Sequence, residues 1–265
     1  MIRFAGPQDA AAIRRLWEVC FPDEGGFNDY FFDHHFDWSN TLLSVEGDAL
    51  CAMVQMLPYR LVAEGKTCEI TYIYGACTDP AHRRKGHMAR LLERSFALDR
   101  EAGRAASALI PAEAWLFDFY KPFGYQPFFY IEKQEITREG KGVPPRRLTQ
   151  ADIPQMAALY DAYAGVCRIA RDRAYWQAQL KLFDALAKGA YGWFDGERLT
   201  AYAFCWEDNA QEALGMSPEQ AQGLLHALGR DNLTVVTTGQ GTALGCIKWH
   251  EGHEVPFGYM NLMYN

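Results

Sequence analysis

The sequence predicts an α/β (α+β) protein built as two related units in tandem. Three observations carry this. A short strand, a turn and an amphipathic helix open the chain, and the same order returns about half-way along. Each copy is followed by an alternating hairpin with glycine at its turn. In the first copy the hairpin leads into a strand, a basic glycine loop, a helix and another strand, which is a crossover unit. With 265 residues, 49% hydrophobic and 22% charged, the chain can build packed cores and has room for one large domain or two ordinary ones.

The elements follow in order. Ile2–Ala5 reads as a strand ending at Gly6-Pro7, and Asp9 can cap a helix whose apolar residues Ile13, Leu16, Trp17 and Cys20 fall at helical spacing. The stretch Leu42–Met56 alternates around Gly47-Asp48. Ile70, Tyr72 and Tyr74 alternate in a strand rich in aromatic and β-branched residues. Pro80 ends it; the basic loop follows, and Met88, Leu91, Leu92, Ser95 and Phe96 form a helical face leading to a further strand after Gly103. The grammar restarts at Pro145–Thr149, with Asp152 before Met156, Leu159, Tyr160 and Tyr163, and a second hairpin turns at Gly196-Glu197. The polar Gly/Pro stretch Thr137–Pro145 is the expected linker, giving domains 1–140 and 145–265. A helix is expected over Pro218–Leu228 and a terminal strand over Pro256–Asn265. The competing explanation of the repeat is a chance coincidence of two helices and two hairpins.

Composition removes several function classes. A net charge of −7 argues against general nucleic-acid or anionic-membrane binding. The seven scattered cysteines include no C-x-x-C, so neither a disulfide framework nor a zinc site is expected, and reduced thiols in a cytoplasmic protein fit best. The N-terminus has no apolar signal core, and no run long enough to span a membrane occurs. His34-His35 and the His250–Glu254 stretch do not match H-E-x-x-H and read as loop or surface residues; no metal site is expected.

Against this acidic background, "DPAHRRKGHMARLL" (Asp79–Leu92) concentrates positive charge where a helix begins. A helix start presents unpaired N–H groups and partial positive charge, and phosphates bind there. Gly86 lets backbone approach a ligand closely, and Arg83, Arg84 and Lys85 can hold phosphate oxygens. A pyrophosphate site explains the pattern; a solvated basic face explains the charge equally well. Neither a P-loop nor G-x-G-x-x-G is present, which disfavours nucleoside triphosphates and dinucleotides.

The segment Arg83-Arg84-Lys85-Gly86-His87-Met88, after a strand and Asp79-Pro80, resembles the coenzyme A loop R-x-x-G-x-[GA] of the GNAT superfamily of N-acyltransferases. Met88 replaces the small last residue. That departure occurs within the tandem-GNAT subset similar to the enhanced-intracellular-survival (Eis) acetyltransferases, whose loop reads P-x-H-R-R-R-G-L-L-R. A second stretch, "FYKPFGYQPF" (Phe119–Phe128), resembles the superfamily's [FIV]Y-x-x-x-G-[FY]. The resemblance is specific over residues 68–126. It implies two GNAT-like units, each a mixed twisted sheet flanked by helices, the second degenerate and structural in role, without the subset's sterol-carrier-like third domain.

The resemblance also implies a chemistry. Acetyl-CoA is the expected co-substrate, held by Arg83, Arg84, Lys85, Gly86, His87 and Met88. Ala76 and Thr78 are expected to pair with the pantetheine arm, and Cys77 or a neighbouring N–H to support the thioester oxygen. Tyr120 is placed beside the thioester sulfur, where a phenol can donate a hydrogen bond or proton to the departing thiolate; aromatic packing is the competing role of any tyrosine here. The acceptor is expected to be an amine of a small molecule or peptide. It would lie near "WEVCFPDEGGFNDYFFDHHFDW", where Asp23 and Glu24 are candidate contacts and the remaining acids read as solvated. Glu69 and Glu113 read as surface carboxylates, so the base stays open between a water chain and the terminal carboxylate of Asn265. Two other classes remain: a non-catalytic acyl-CoA-binding regulator, and a transferase using aminoacyl-tRNA, which an explicit coenzyme loop disfavours. No oligomeric state follows from the sequence.

Overall fold

The computed structural model describes residues 1–23, 25–252 and 255–264. In chain order its elements are β1 (Ile2–Phe4), α1 (Ala10–Cys20), α2 (Phe27–His34), β2 (Thr41–Glu46), β3 (Ala49–Ala63), β4 (Lys66–Thr78), α3 (His87–Glu101), β5 (Ala106–Leu109), α4 (Leu116–Tyr120) and β6 (Gln126–Thr137). There follow β7 (Arg146–Arg147), α5 (Ile153–Tyr163), β8 (Cys167–Ile169), α6 (Arg173–Leu186), β9 (Gly189–Asp195), β10 (Arg198–Trp206), β11 (Asn209–Leu214), α7 (Pro218–Leu228), β12 (Asn232–Thr238) and β13 (Thr242–Trp249).

The chain divides into two compact units interleaved in sequence. One comprises residues 1–62, 66–127 and 245–254; the other comprises residues 63–65, 128–244 and 255–265. In the first, the strand order is β1-β2-β3-β4-β5-β13. The β1–β2 and β2–β3 pairs are antiparallel, β4–β5 is parallel, and β13 closes antiparallel on β5, Cys246 opposite Leu109. In the second, the order β7-β9-β10-β11-β12-β6 repeats this plan, with β11–β12 parallel and β6 antiparallel to β12. Each unit thus takes its last strand from the other half of the sequence.

The period of two along the strands sets which face meets which helix. In the first unit Leu42, Ala52, Val54, Met56 and Ile73 pack with Leu91, Leu92 and Phe96 of α3. The alternate residues Leu43, Val45, Met53 and Cys77 pack with Ile13, Leu16 and Trp17 of α1 and Phe31 of α2. In the second, Ala201, Ala203 and Cys205 meet Leu224 and Leu225 of α7, while Trp176 of α6 meets Tyr202 edge-on and stacks with Phe204.

Both units begin with the same device. Arg3 grips Asp9 through both carboxylate oxygens at 2.7 Å, and Asp9 also accepts the Gly6 amide at 2.8 Å. Arg146 grips Asp152 at 2.7 and 3.1 Å, and Asp152 accepts the Thr149 amide at 2.8 Å. The carboxylate therefore ties strand, turn and helix together, rather than capping the helix amides as expected for Asp9.

Three local expectations need correction. The stretch expected as the linker is hydrogen-bonded within the second unit: the Glu139 amide donates to Gln222 Oε1 at 2.7 Å, and Val143 N donates to the Glu219 carbonyl at 3.0 Å. Among the described residues the expected terminal strand forms bridges only at Gly258 and Tyr259, and its backbone turns left-handed at Leu262 and Tyr264; Asn265 lies outside the described residues. His250 is no surface residue, since its ring is 1% exposed and meets Asp99 at 3.1 Å. His253 and Glu254 lie outside the described residues.

Candidate active site

The site begins where two parallel strands part. β4 and β5 stay paired only from Ile70/Ala106 to Tyr72/Ala108, yet β4 runs on to Thr78. Gly75 bends it there with φ +56°; a Cβ would sit 2.3 Å from the Trp17 ring, so only glycine permits both the bend and the packing of α1. Beyond Tyr72 no pairing with β5 is formed, and main-chain groups around Ala76, Cys77 and Thr78 become an edge that an extended ligand can join. On the other side the chain stays anchored, with Asp79 N donating to the Cys51 carbonyl at 2.9 Å.

The basic loop lies at the end of this edge. Asp79 caps its first turn by accepting the Ala81 amide at 2.8 Å. Arg84 and Gly86 both take positive φ, at 62° and 78°, which turns successive amides outward in the manner of anion-binding nests. No side chain caps the start of α3 at Gly86, so its first amides are left for an acceptor from outside the helix. Arg83, Arg84, Lys85 and Gly86 are exposed. Arg83 folds back, its Nε donating to the Thr78 carbonyl at 3.3 Å. Arg90 braces the loop through the Lys85 carbonyl at 3.1 Å. His87 contributes main chain only toward this side, because its ring is buried; Met88 is half-buried against the α3 core.

Tyr120 closes α4 and is buried, its ring 5.7 Å from that of Tyr125. Burial pushes its phenol up to about 12, and the Cys246 and Cys77 thiols reinforce the shift. Cys77 faces α1, and burial pushes its thiol well above the ordinary value, so it is no ready thiolate. Its neighbour Cys20 shifts the other way, to about 7, chiefly through a hydrogen bond from Cys77 and also through Arg83. Cys20 also contacts the Thr78 carbonyl at 3.6 Å. Sequence reading missed Cys20 because only the fold brings the end of α1 to the end of β4.

The expected acceptor residues are placed differently. Asp23 is exposed, and both its oxygens are engaged locally, by Gly25 N and Asn28 N at 2.9 Å each. It shapes the entry to α2. Glu24 lies outside the described residues. Asp29 pairs with Arg14, and Asp37 caps a short turn through Ser39. Glu69 and Glu113 are exposed. All seven cysteines are free thiols.

The first unit thus sets parting parallel strands beside an uncapped, basic helix start. Residues 1–128, just under half of the chain, match the family model described as an acetyltransferase (GNAT) domain. A Streptomyces griseus protein described as an uncharacterized N-acetyltransferase is 26% identical over 153 residues, which is 56% of this chain and 36% of that one. The chain thus spans about a third of the length of that relative. Among solved structures, a conserved protein of unknown function from Enterococcus faecalis, described as a probable N-acyltransferase, superposes with a TM-score of 0.71 at 14% identity, over 94% of this chain and 72% of that one. Eis1 from Mycobacterium abscessus gives 0.62 at 16% identity, over 94% and 73%. At these identities the likeness is one of fold, and it extends through the second unit. Among the described residues no helix is long and apolar enough to cross a membrane.

Proposed function

We propose that the protein is an acetyl-CoA-dependent N-acetyltransferase acting by direct attack of an amine, carried by a small molecule or a peptide, on the acetyl thioester. The observation that supports this most is the parting of β4 from β5 beside the uncapped start of α3. The residues present fit the co-substrate: the outward amides of Arg84–Met88, with Arg83, Arg84 and Lys85, suit a pyrophosphate. The open edge at Ala76–Thr78 suits an amide-bearing arm. When bound, acetyl-CoA supplies an activated acetyl group.

The chain's own groups then divide the work. In this reading main-chain N–H groups near Cys77 stabilise negative charge on the thioester oxygen. Tyr120, held near 12, keeps its proton at neutral pH. It holds that proton more tightly than a free thiolate of pKa about 8.5 would. It therefore eases departure of the sulfur by donating a hydrogen bond rather than by giving up its proton. With Asp23 serving α2 and Glu69 and Glu113 in solvent, the acceptor's proton leaves to water. In this reading residues 1–140 are the catalytic domain and residues 145–265 a second, non-binding GNAT-like domain, with β6 and β13 exchanged, and the protein works in the cytoplasm.

Replacing Tyr120 with Phe tests the assignment. The expected outcome is a kcat lower by roughly 10²–10³-fold, measured by thiol release across aminoglycosides, polyamines and lysine peptides, with acetyl-CoA affinity by calorimetry unchanged. Tight acetyl-CoA binding without turnover of any amine would favour a non-catalytic acyl-CoA-binding protein. Failure of the unaltered protein to bind acetyl-CoA would overturn the reading.

A further inference from the structure

Behind the basic loop, four donor side chains from separate stretches converge: Glu46 at the end of β2, Cys51 in β3, His82 after β4 and His87 at the first turn of α3. Their ligand atoms all lie within 4.8 Å of one another. Two ring nitrogens here, His82 Nδ1 and His87 Nε2, are buried without a hydrogen-bond partner. The His87 side chain is only 1% exposed, and its Nε2 lies 3.6 Å from Glu46 Oε1. A buried imidazole nitrogen left unpaired is costly, and it marks a place where something else binds.

We propose that this cluster is a zinc site that fastens the loop Arg83–Gly86 at both ends. One thiolate, two imidazoles and one carboxylate make a four-ligand set of the nitrogen and sulfur character that zinc selects, whereas calcium and magnesium take oxygen. The two anionic ligands would balance the metal's charge. Zinc–ligand distances of about 2.0–2.3 Å give tetrahedral edges of roughly 3.3–3.8 Å. The His87–Glu46 separation already fits such an edge; the wider ones close as side chains draw in.

Binding has two local consequences. Cys51, whose thiol now donates to the Ala49 carbonyl at 3.5 Å, gives its proton to solvent. His87 binds through Nε2, so its proton must sit on Nδ1. Ser44 Oγ, 3.0 Å away, can accept it, in the way an outer hydrogen bond usually orients a ligating histidine. Arg90, which only donates and now lies 3.1 Å from Nδ1, would swing off while keeping its bond to the Lys85 carbonyl. The His87 main-chain amide is left free to face the coenzyme side. Metal binding at this cluster is independent of acyl transfer.

The test uses the full chain, stripped with a chelator under reducing conditions and titrated with Co²⁺. One equivalent should bind, with visible bands of tetrahedral cobalt and a near-ultraviolet thiolate charge-transfer band, and Zn²⁺ should displace it. Cys51→Ser should abolish the near-ultraviolet band, His82→Ala should weaken Zn²⁺ binding at least tenfold, and Cys68→Ser, outside the cluster, should change neither. If Cys51→Ser does not fold, His82→Ala in its half-exposed turn carries the decision. Absence of cobalt bands, or bands that survive both cluster substitutions, would overturn the assignment.

Discussion

In the first unit the helix after the fourth strand of the sheet begins at Gly86 with no side chain over its amides. In the second unit the corresponding helix, α7, begins at Ser217, whose hydroxyl accepts the Gln220 amide at 3.2 Å while Gln220 returns the bond to Ser217 N at 2.8 Å. The strands that lead into these helices differ in the same sense. β4 ends in a bent edge free of β5. β11 carries Glu212, whose oxygens are taken by Arg171 at 2.6 and 2.8 Å, Tyr202 at 2.8 Å and Tyr259 at 2.8 Å. One plan, laid down twice, leaves its polar groups open to a ligand in one copy and satisfies them internally in the other. Binding capacity lies in what the first unit does not pair, and stability in what the second does.

The largest expected effect breaks the second half of that contrast. Arg171 and Glu212 are both 0% exposed, so Glu212→Leu leaves a buried guanidinium without its anion. That should cost about 3–5 kcal/mol in urea unfolding, with acetyl-CoA affinity of the folded fraction unchanged. Removing the exposed pair Arg94–Glu101 should cost about 1 kcal/mol at most. A loss for Glu212→Leu no larger than for the surface pair would mean that the buried network does not hold the second unit together.

The first half of the contrast is sharpened at Gly86. A valine at φ 78° is strained by about 1–3 kcal/mol, and its side chain intrudes where main chain should face phosphate. Gly86→Val should weaken acetyl-CoA binding roughly ten- to a hundredfold by calorimetry. Ser217→Ala, which removes a cap worth about 1 kcal/mol of stability, should leave that affinity alone. Equal affinities for Gly86→Val and the unaltered chain would move the coenzyme away from the α3 start.

Much of this contrast is legible in the sequence, because it is local. The hairpins at Gly47-Asp48 and Gly196-Glu197, the helical spacing of Ile13, Leu16 and Trp17, and the basic loop before α3 all lie in short windows, and each forms as the pattern dictates. What was not legible depends on distant pairing. The β5–β13 register joins Leu109 to Cys246, and no window of sequence contains both. The same distance hid the approach of Cys20 to Cys77 and the convergence of Glu46, Cys51, His82 and His87. Asp23 misled for another reason: an acid among aromatics looks like a cation site, while its oxygens are occupied by two nearby amides.

The smallest effect probes what the units share. Asp9 and Asp152 both titrate below the usual carboxylate range, first because of the hydrogen bond from Arg3 or Arg146 and then through the turn amide. A carboxylate whose folded value lies below its unfolded value, about 3.9, stabilises the fold above that pH. The contribution disappears as pH falls through 3.9 toward the folded value. Arg3→Met and Arg146→Met should therefore each cost roughly 0.5–1 kcal/mol near pH 7, since the arginines are partly solvated. The cost should shrink as pH falls below 3.9 and be reduced by salt. Urea unfolding of both variants at the two pH values gives the comparison directly. If the losses match each other at pH 7 and fade together in acid, the two units share this charge pair as a common starting device. A loss that persists unchanged at pH 3 would show instead that the arginine stems stabilise by packing, and the likeness of the two openings would then be one of shape and not of charge.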